Sequence, residues 1–410
     1  MRRVFAEYPR QFWTLIAALF VDRLGGALVF PFLTLYVTQK FDVGMTQVGL
    51  IFGLFSISSV VGSAFGGALT DRLGRKRMLI FGLIVSAFTS LFMGLVESFT
   101  MFFGVIVLVG AFANVAGPAQ QAMVADLLPE AQRAQGFGIL RIMANLAVTV
   151  GPAIGGLLAA RSYLLLFICD AIASTITAGL VYFMIKETKP APHPDEPEQT
   201  FTQTFRGYGQ VLHDASFVLF IGASILSITV YMQMNTTLSV YLRDTHGVLE
   251  QGFGYIISLN AALVVLLQFS ITRWIARYRP LSIMALGTLL YVVGFGMYGF
   301  VTSYALFMVA MVIITVGEML NAPTGQALAA RFAPEDMRGR YMAVYGFAWM
   351  LPSTVGPLLA GLVMDYLDPR WVWYFAAMLG LVAVVAFLLL RRREETQTVR
   401  VDPVVQADGA

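Results

Sequence analysis

The chain has 410 residues, of which 58% are hydrophobic and only 12% charged, with a net charge of +3. A water-soluble domain carries about 25% charged residues, so this composition excludes an ordinary soluble protein and points to one solvated largely by lipid. The small net charge calls for no nucleic-acid partner, and the single cysteine, Cys169, excludes an intramolecular disulfide.

Twelve apolar stretches follow one another, at about 12–38, 46–70, 77–96, 100–124, 136–159, 163–185, 217–241, 251–275, 280–301, 304–328, 338–364 and 371–390. Each approaches the roughly 20 residues that cross a ~30 Å hydrocarbon core, and they are numbered here as spans 1 to 12. Their continuous apolarity, without the alternation of membrane strands, predicts helices. The expected fold class is an all-α integral membrane protein with twelve transmembrane helices. No small-residue cleavage site follows the first stretch, which is too long for a signal core and is expected to remain as span 1.

Lys and Arg set the orientation. With the N-terminus inside, 21 of the 27 fall on inner segments, four (Lys40, Arg161, Arg243, Arg370) on outer loops, and Arg23 and Arg141 within spans. Both termini are therefore expected in the cytoplasm of a multi-pass cell-membrane protein, of the bacterial inner-membrane kind. In span 1, "FVDRLGGALVFPFLTLYV" carries Asp22 beside Arg23. The inner loop after span 2 reads "GGALTDRLGRKRML", where positive-inside bias accounts for the basic residues but not for Asp71 or the glycines. Span 5 carries "AVTVGPAIGG" and Arg141, span 6 carries Asp170, and span 10 carries Glu318 in "VGEMLNAPTGQ". Ionisable groups within spans are costly, which makes each a functional candidate.

The chain repeats itself at an offset of 205 residues. Pro118 matches Pro323, Gln121 matches Gln326, Pro129 and Glu130 match Pro334 and Glu335, Arg133 matches Arg338, and Gly151, Pro152 and Gly156 match Gly356, Pro357 and Gly361. Between the copies, "KETKPAPHPDEPEQTFTQTF" has the composition of an extended linker. The expected organisation is a six-helix bundle over 1–186, a cytoplasmic linker over 187–213, a second six-helix bundle over 214–393 and a tail over 394–410. Parallel repeats of this kind build many secondary transporters. A short surface helix is expected just after the linker, in "FRGYGQVLHDASF".

These residues resemble the major facilitator superfamily across nearly the whole chain. Gly67, Leu69, Asp71, Arg72, Gly74, Arg75 and Lys76 match its signature between spans 2 and 3. The resemblance implies a latch, in which Asp71 caps the inner end of span 11 and Arg75 meets Asp126 at the inner end of span 4. The second copy has Ala276 in place of Asp71, so one latch is expected. Gly151, Pro152, Gly155 and Gly156 resemble the antiporter motif of exporters, with Ala147 where the first Gly would stand. The Arg that many members carry in span 4 falls on Ile106, leaving Arg141 as a possible counter-charge.

Asp22 and Glu318 sit where proton-coupled drug exporters of this superfamily carry carboxylates, so Asp22, Glu318, Arg141 and Asp170 are the expected proton or substrate groups. Desolvation favours the neutral carboxyl, and competition between a cation and a proton for one carboxylate gives antiport. Aromatic faces attract organic cations, and Tyr36, Gln120, Gln121, Asn145, Tyr231, Asn235, Asn260, Asn321 and Trp349 are candidates to line the cavity. The reading is a secondary transporter exporting hydrophobic or cationic drug-like compounds in exchange for protons, functional as a monomer in the bilayer. A carrier of one metabolite, such as a sugar, amino acid or lipid precursor, is the alternative, and a non-transporting receptor comes after it. His193, His213 and His246 show no metal-ligand spacing, and no nucleophile constellation or phosphate loop is present. The chain is therefore not expected to be an enzyme, to hold a metal or cofactor, or to use ATP.

Overall fold

The computed structural model describes residues 8–113, 116–188, 211–334 and 337–401. Span 1 is formed by α1 (Arg10–Val29), a 3₁₀ turn (Phe30–Phe32) and α2 (Leu33–Phe41). Spans 2 and 3 are α3 (Met45–Leu73) and α4 (Arg75–Leu95), and span 4 divides into α5 (Phe99–Ala113) and α6 (Gly117–Asp126). Spans 5 and 6 are α7 (Glu130–Ala159) and α8 (Tyr163–Met184). Span 7 divides into α9 (Ala215–Thr236) and α10 (Leu238–His246). Spans 8 to 12 are α11 (Glu250–Ile275), α12 (Pro280–Tyr298), α13 (Tyr304–Phe332), α14 (Arg338–Tyr366) and α15 (Trp371–Val401).

Among the described residues there is no strand. Eleven segments are long and apolar enough to cross a membrane, and span 4 supplies the shorter apolar helix Phe99–Phe112. The protein is an all-α, multi-pass membrane protein. The linker lies mostly outside the described residues, as do residues 205–210 of the expected surface helix; of the rest, Val211, Leu212 and His213 are helical and Ala215 to Phe217 begin α9. Beyond span 12, α15 continues as a polar helix to Val401.

Hydropathy did not show the breaks in spans 1 and 7. In span 1 the cause is Pro31, which cannot donate to the preceding turn and crowds it. The new helix starts after Phe32 in span 1 and after Thr237 in span 7; the two positions are 205 apart, the repeat offset.

The described residues fall into two compact units, Met1–Asp195 with Met234–Val265 and Pro357–Asp365, and Glu196–Gln233 with Leu266–Gly356 and Tyr366–Ala410. The core of the first gathers Phe12, Leu15, Met78, Leu79, Met123 and Val181 from α1, α4, α6 and α8. That of the second gathers Phe217, Phe220, Met284, Ala329, Tyr345 and Phe387 from α9 and α12 to α15. In lipid, helices gain nothing from hydrophobic exclusion, so small residues decide how closely they pack. A β-carbon on Gly62 of α3 would overlap the Ala111 backbone of α5. One on Gly82 would lie 2.5 Å from the Ala116 side chain, and one on Gly287 2.9 Å from Cγ of Asn321. Adding 205 to the first pair gives the second.

Overpacking a tight contact costs about 1–3 kcal/mol. Gly62→Val is expected to lower the thermal unfolding midpoint of the purified protein by several degrees. Gly222→Val, where an added β-carbon meets nothing within 4 Å, is expected to leave it within error.

Candidate functional site

Gly74 joins α3 to α4 at φ +100°, a conformation that suits glycine. It leaves room for Glu187, whose Oε1 accepts from the Arg75 and Lys76 backbone N–H groups at 2.9 and 3.3 Å. A carboxylate there satisfies the open N–H groups of a helix start and faces its partial positive charge. Arg75 Nε lies 3.1 Å from Asp126 Oδ2, the pairing the resemblance implied, and the Thr188 hydroxyl donates to the same oxygen at 3.2 Å. Lys76 Nζ donates to the Tyr182 carbonyl at 2.7 Å. The ends of three elements of the first unit, α4, α6 and α8, are thus tied at their basic end, where Gly74 joins α3 to α4. Glu187 had been assigned to the linker by its polar surroundings. Gly67, Asp71 and Arg72 fall in the last turns of α3, but their side chains, and so any cap from Asp71, lie outside the described residues.

At the opposite end the antiporter-motif residues have a definite packing role. A β-carbon on Gly254 of α11 would lie 2.7 Å from the Pro152 carbonyl oxygen, and one on Gly49 of α3 would lie 2.7 Å from that of Pro357. Gly156 faces the backbone of Glu250 and Gln251 in the same way that Gly361 faces Met45 and Thr46. Each residue of one contact maps to the other by adding or subtracting 205. Gly151 fits against Ala27, and Gly155 against Leu28 and Phe32 of span 1. Around this seam the Asp365 carboxylate accepts from the Met45 and Thr46 backbone N–H groups, both at 2.8 Å. Tyr163 donates to Glu250 Oε1 at 2.8 Å, and Arg243 Nη1 to Thr38 Oγ1 at 3.0 Å.

Asp22 and Asp170 lie within electrostatic reach of each other in the first unit. Ser174 donates to Asp22 Oδ1 at 2.9 Å, while Ser90 hydrogen-bonds Asp170, which also feels the charge of Asp22. Gly25 makes the room, since a β-carbon there would lie 2.7 Å from Asp170 Oδ1. Arg141 does not join this pair. It lines a different cavity, with Arg23 and Gln120.

In the second unit Glu318 of α13 lines a cavity with Tyr231 of α9, Tyr291 of α12, Asn321, and Tyr345 and Trp349 of α14. Tyr231 donates to Glu318 Oε1 at 3.0 Å, its ring stacks on Tyr291 at 5.7 Å and meets Trp349 edge-on at 6.2 Å. Sequence reading selected Tyr231, Glu318, Asn321 and Trp349; it missed Tyr291, Tyr345, Ser224 and Ser227, which carry no distinguishing pattern. Gln121, Asn145, Asn235 and Asn260 are not among the residues lining the Glu318 or Arg141 cavities. Tyr36 is instead 3% exposed, donating to the Met93 carbonyl and packed against Phe102, Tyr163 and Phe167. Ile106, in place of the family's span 4 Arg, is buried.

The sequence model described as Major Facilitator Superfamily matches residues 15–253 and 234–407. The chain is 29% identical over 404 residues to a Planococcus maritimus protein named "Na(+), Li(+), K(+)/H(+) antiporter", covering 89% of this chain and 93% of that one. It is 25% identical to the Staphylococcus aureus "Quinolone resistance protein NorA", covering 93% and 96%. Among solved structures, the nucleoside transporter NupG matches with a TM-score of 0.77 at 15% identity, over 93% of this chain and 99% of that one, a likeness of fold.

Beside the clasping Asp365 carboxylate the Thr46 hydroxyl oxygen is buried. With Cys169, the single cysteine, replaced by Ser, maleimide labelling of Thr46→Cys is expected to be slow. Adding Asp365→Ala is expected to speed it several-fold; an unchanged rate means the clasp does not hold this end shut.

Proposed function

The chain belongs to the Major Facilitator Superfamily, and from that membership we propose that it is a secondary antiporter exchanging protons for hydrophobic or cationic drug-like compounds by alternating access. The supporting observation is Glu318, a carboxyl group within a membrane span, engaged by Tyr231 in a cavity walled by Tyr291, Tyr345 and Trp349. An acidic side chain at a helix centre costs roughly 2.5–3.5 kcal/mol on insertion scales. It is retained at lower cost when it carries a proton or faces a cation, and a carrier alternates between those two conditions.

In this reading Glu318 takes the coupling proton, Asp22 and Asp170 form a second acidic pair, and the Arg75–Asp126–Glu187 cluster holds the basic end in one arrangement until the cycle releases it. The basic end faces the cytoplasm, and one chain is the working unit. The antiporter-motif residues and the quinolone resistance in the name of the Staphylococcus aureus relative favour export.

Exchange of an inorganic cation for a proton is the second reading, favoured by the size of the cavity. At about 40 Å³ it has room for a few water-sized occupants, each needing roughly 10–15 Å³. A drug-sized ligand needs about 300–1,000 Å³. Among the described residues the Ser224 hydroxyl is buried there without a hydrogen-bond partner, a hard oxygen suited to a small cation. The named activity of the Planococcus maritimus relative agrees with it.

The test is uptake of ethidium into everted vesicles under an imposed pH gradient. Wild type is expected to accumulate the dye, and Glu318→Gln, inserted to the same level, to lose at least tenfold of the initial rate. Proton release on adding Na⁺ or Li⁺ without dye selects the second reading. Full dye uptake by Glu318→Gln rejects Glu318 as the coupling group.

A further inference from the structure

Arg23 of α1 and Arg141 of α7 line one cavity of about 220 Å³ in the first unit, together with Gln120 of α6. Both arginines are exposed rather than packed away. Among the described residues neither guanidinium makes a hydrogen bond or an ion pair. Arg23 follows Asp22 in sequence and its charge reaches that carboxylate, but Asp22 itself is taken by Ser174 of α8.

Two guanidiniums sharing one cavity repel each other, and each is expensive to hold within a membrane span. An arrangement with that cost and without protein acceptors is complementary to an anion. Guanidinium presents five N–H donors in a planar fork that matches a carboxylate or phosphate two bonds at a time, and the Gln120 amide adds a donor.

Depth and walls indicate which anion. Arg23 stands 13 residues into the 32-residue segment Arg10–Phe41, about 20 Å along the helix at 1.5 Å per residue. That is below the headgroup layer of a phospholipid. Phe20, Phe137 and Met143 supply apolar and ring surface beside the arginines. The volume is under the ~300 Å³ of a pocket that encloses a whole drug-sized ligand, so the cavity suits one acidic end of a larger molecule.

We propose that Arg23, Arg141 and Gln120 form a clamp for the carboxylate of an amphipathic organic cargo. It rests on the reading of the chain as a carrier of hydrophobic organic compounds and narrows it: those that carry a carboxylate, zwitterions included, are bound more tightly than their uncharged amides.

The test uses the full chain in phosphatidylcholine nanodiscs and a matched fluorescent pair, dansylglycine and dansylglycinamide, identical but for the carboxylate. Wild type is expected to bind the acid at least tenfold more tightly than the amide. Arg23→Gln and Arg141→Gln are each expected to weaken acid binding about tenfold and so to remove the preference over the amide, with a monodisperse elution profile and an unfolding midpoint like those of wild type showing that the variants are folded. Arg141→Lys, which keeps the charge but not the fork, is expected to fall between. Equal affinity for the two probes in wild type, or a preference untouched by both Gln variants, overturns the proposal. A preference that disappears in phosphatidylglycerol nanodiscs, with that lipid retained by wild type and lost by Arg141→Gln, assigns the arginines to a headgroup and overturns it as well. Absence of gradient-driven ethidium uptake by wild type rejects the antiport reading alone, uptake that survives Glu318→Gln rejects Glu318 as the coupling group alone, and either leaves the clamp to be decided by the binding data.

Discussion

Two backbones can pass within touching distance only where one of them has no side chain. At the end away from the basic loops this condition is met twice, by Gly254 against the Pro152 carbonyl and by Gly49 against the Pro357 carbonyl. Burying apolar surface does not drive helices together in lipid, so such contacts must supply the attraction through dispersion between closely apposed atoms. The remaining interactions at that end depend on this approach. Asp365 reaches the start of α3, and Glu250 reaches Tyr163, because the helices carrying them are already in register.

The 205-residue offset separates scaffold from chemistry. Close-contact positions recur: Gly82 and Gly287, Ala116 and Asn321, Pro152 and Pro357, Gly156 and Gly361. Ionisable positions within the spans do not. Asp22 corresponds to Ser227, Arg23 to Ile228, Arg141 to Gly346, Asp170 to Phe375, and Glu318 to Ala113. A duplicated framework needs the same clearances in both copies, whereas a charge in lipid is tolerated only where it has a use. The first copy therefore holds the arginines and the aspartate pair, and the second holds the glutamate.

Much of the fold was legible because lipid imposes length and apolarity on each span, and because a duplicated chain shows its register in rare residues such as Pro118 and Pro323. Averaging over a window hides a break, so Phe30–Phe32 and Thr237 were read as continuous helix despite the visible proline in the first. Side-chain direction was the harder loss. A helix apolar on all sides has no moment to orient it, which is why Tyr36 was placed with the cavity although it packs into the first unit. Glu187 and Asp365 were illegible for the opposite reason: an acid in a polar stretch gives no sign that it caps a distant helix start. Arg75 and Asp126 were paired through family resemblance, since spacing alone does not join residues 51 apart.

The charge asymmetry bears on how selection and coupling divide. Guanidinium stays protonated under any condition a cell provides, so the charges of Arg23 and Arg141 are themselves constant, although Asp22 beside Arg23 is a group that can change charge. A carboxyl group changes charge, and Glu318 is the group of that kind lining the cavity of the second unit. An anionic cargo group held by Arg23 and Arg141 would therefore bind with an affinity that does not vary with proton occupancy there, while whatever engages Glu318 must compete with the proton. Recognition by a fixed charge and coupling by a switching one are independent properties when they rest on different copies of the repeat. Under the proposed function, substitutions at one would alter which compounds are carried without abolishing the proton dependence proposed for the other.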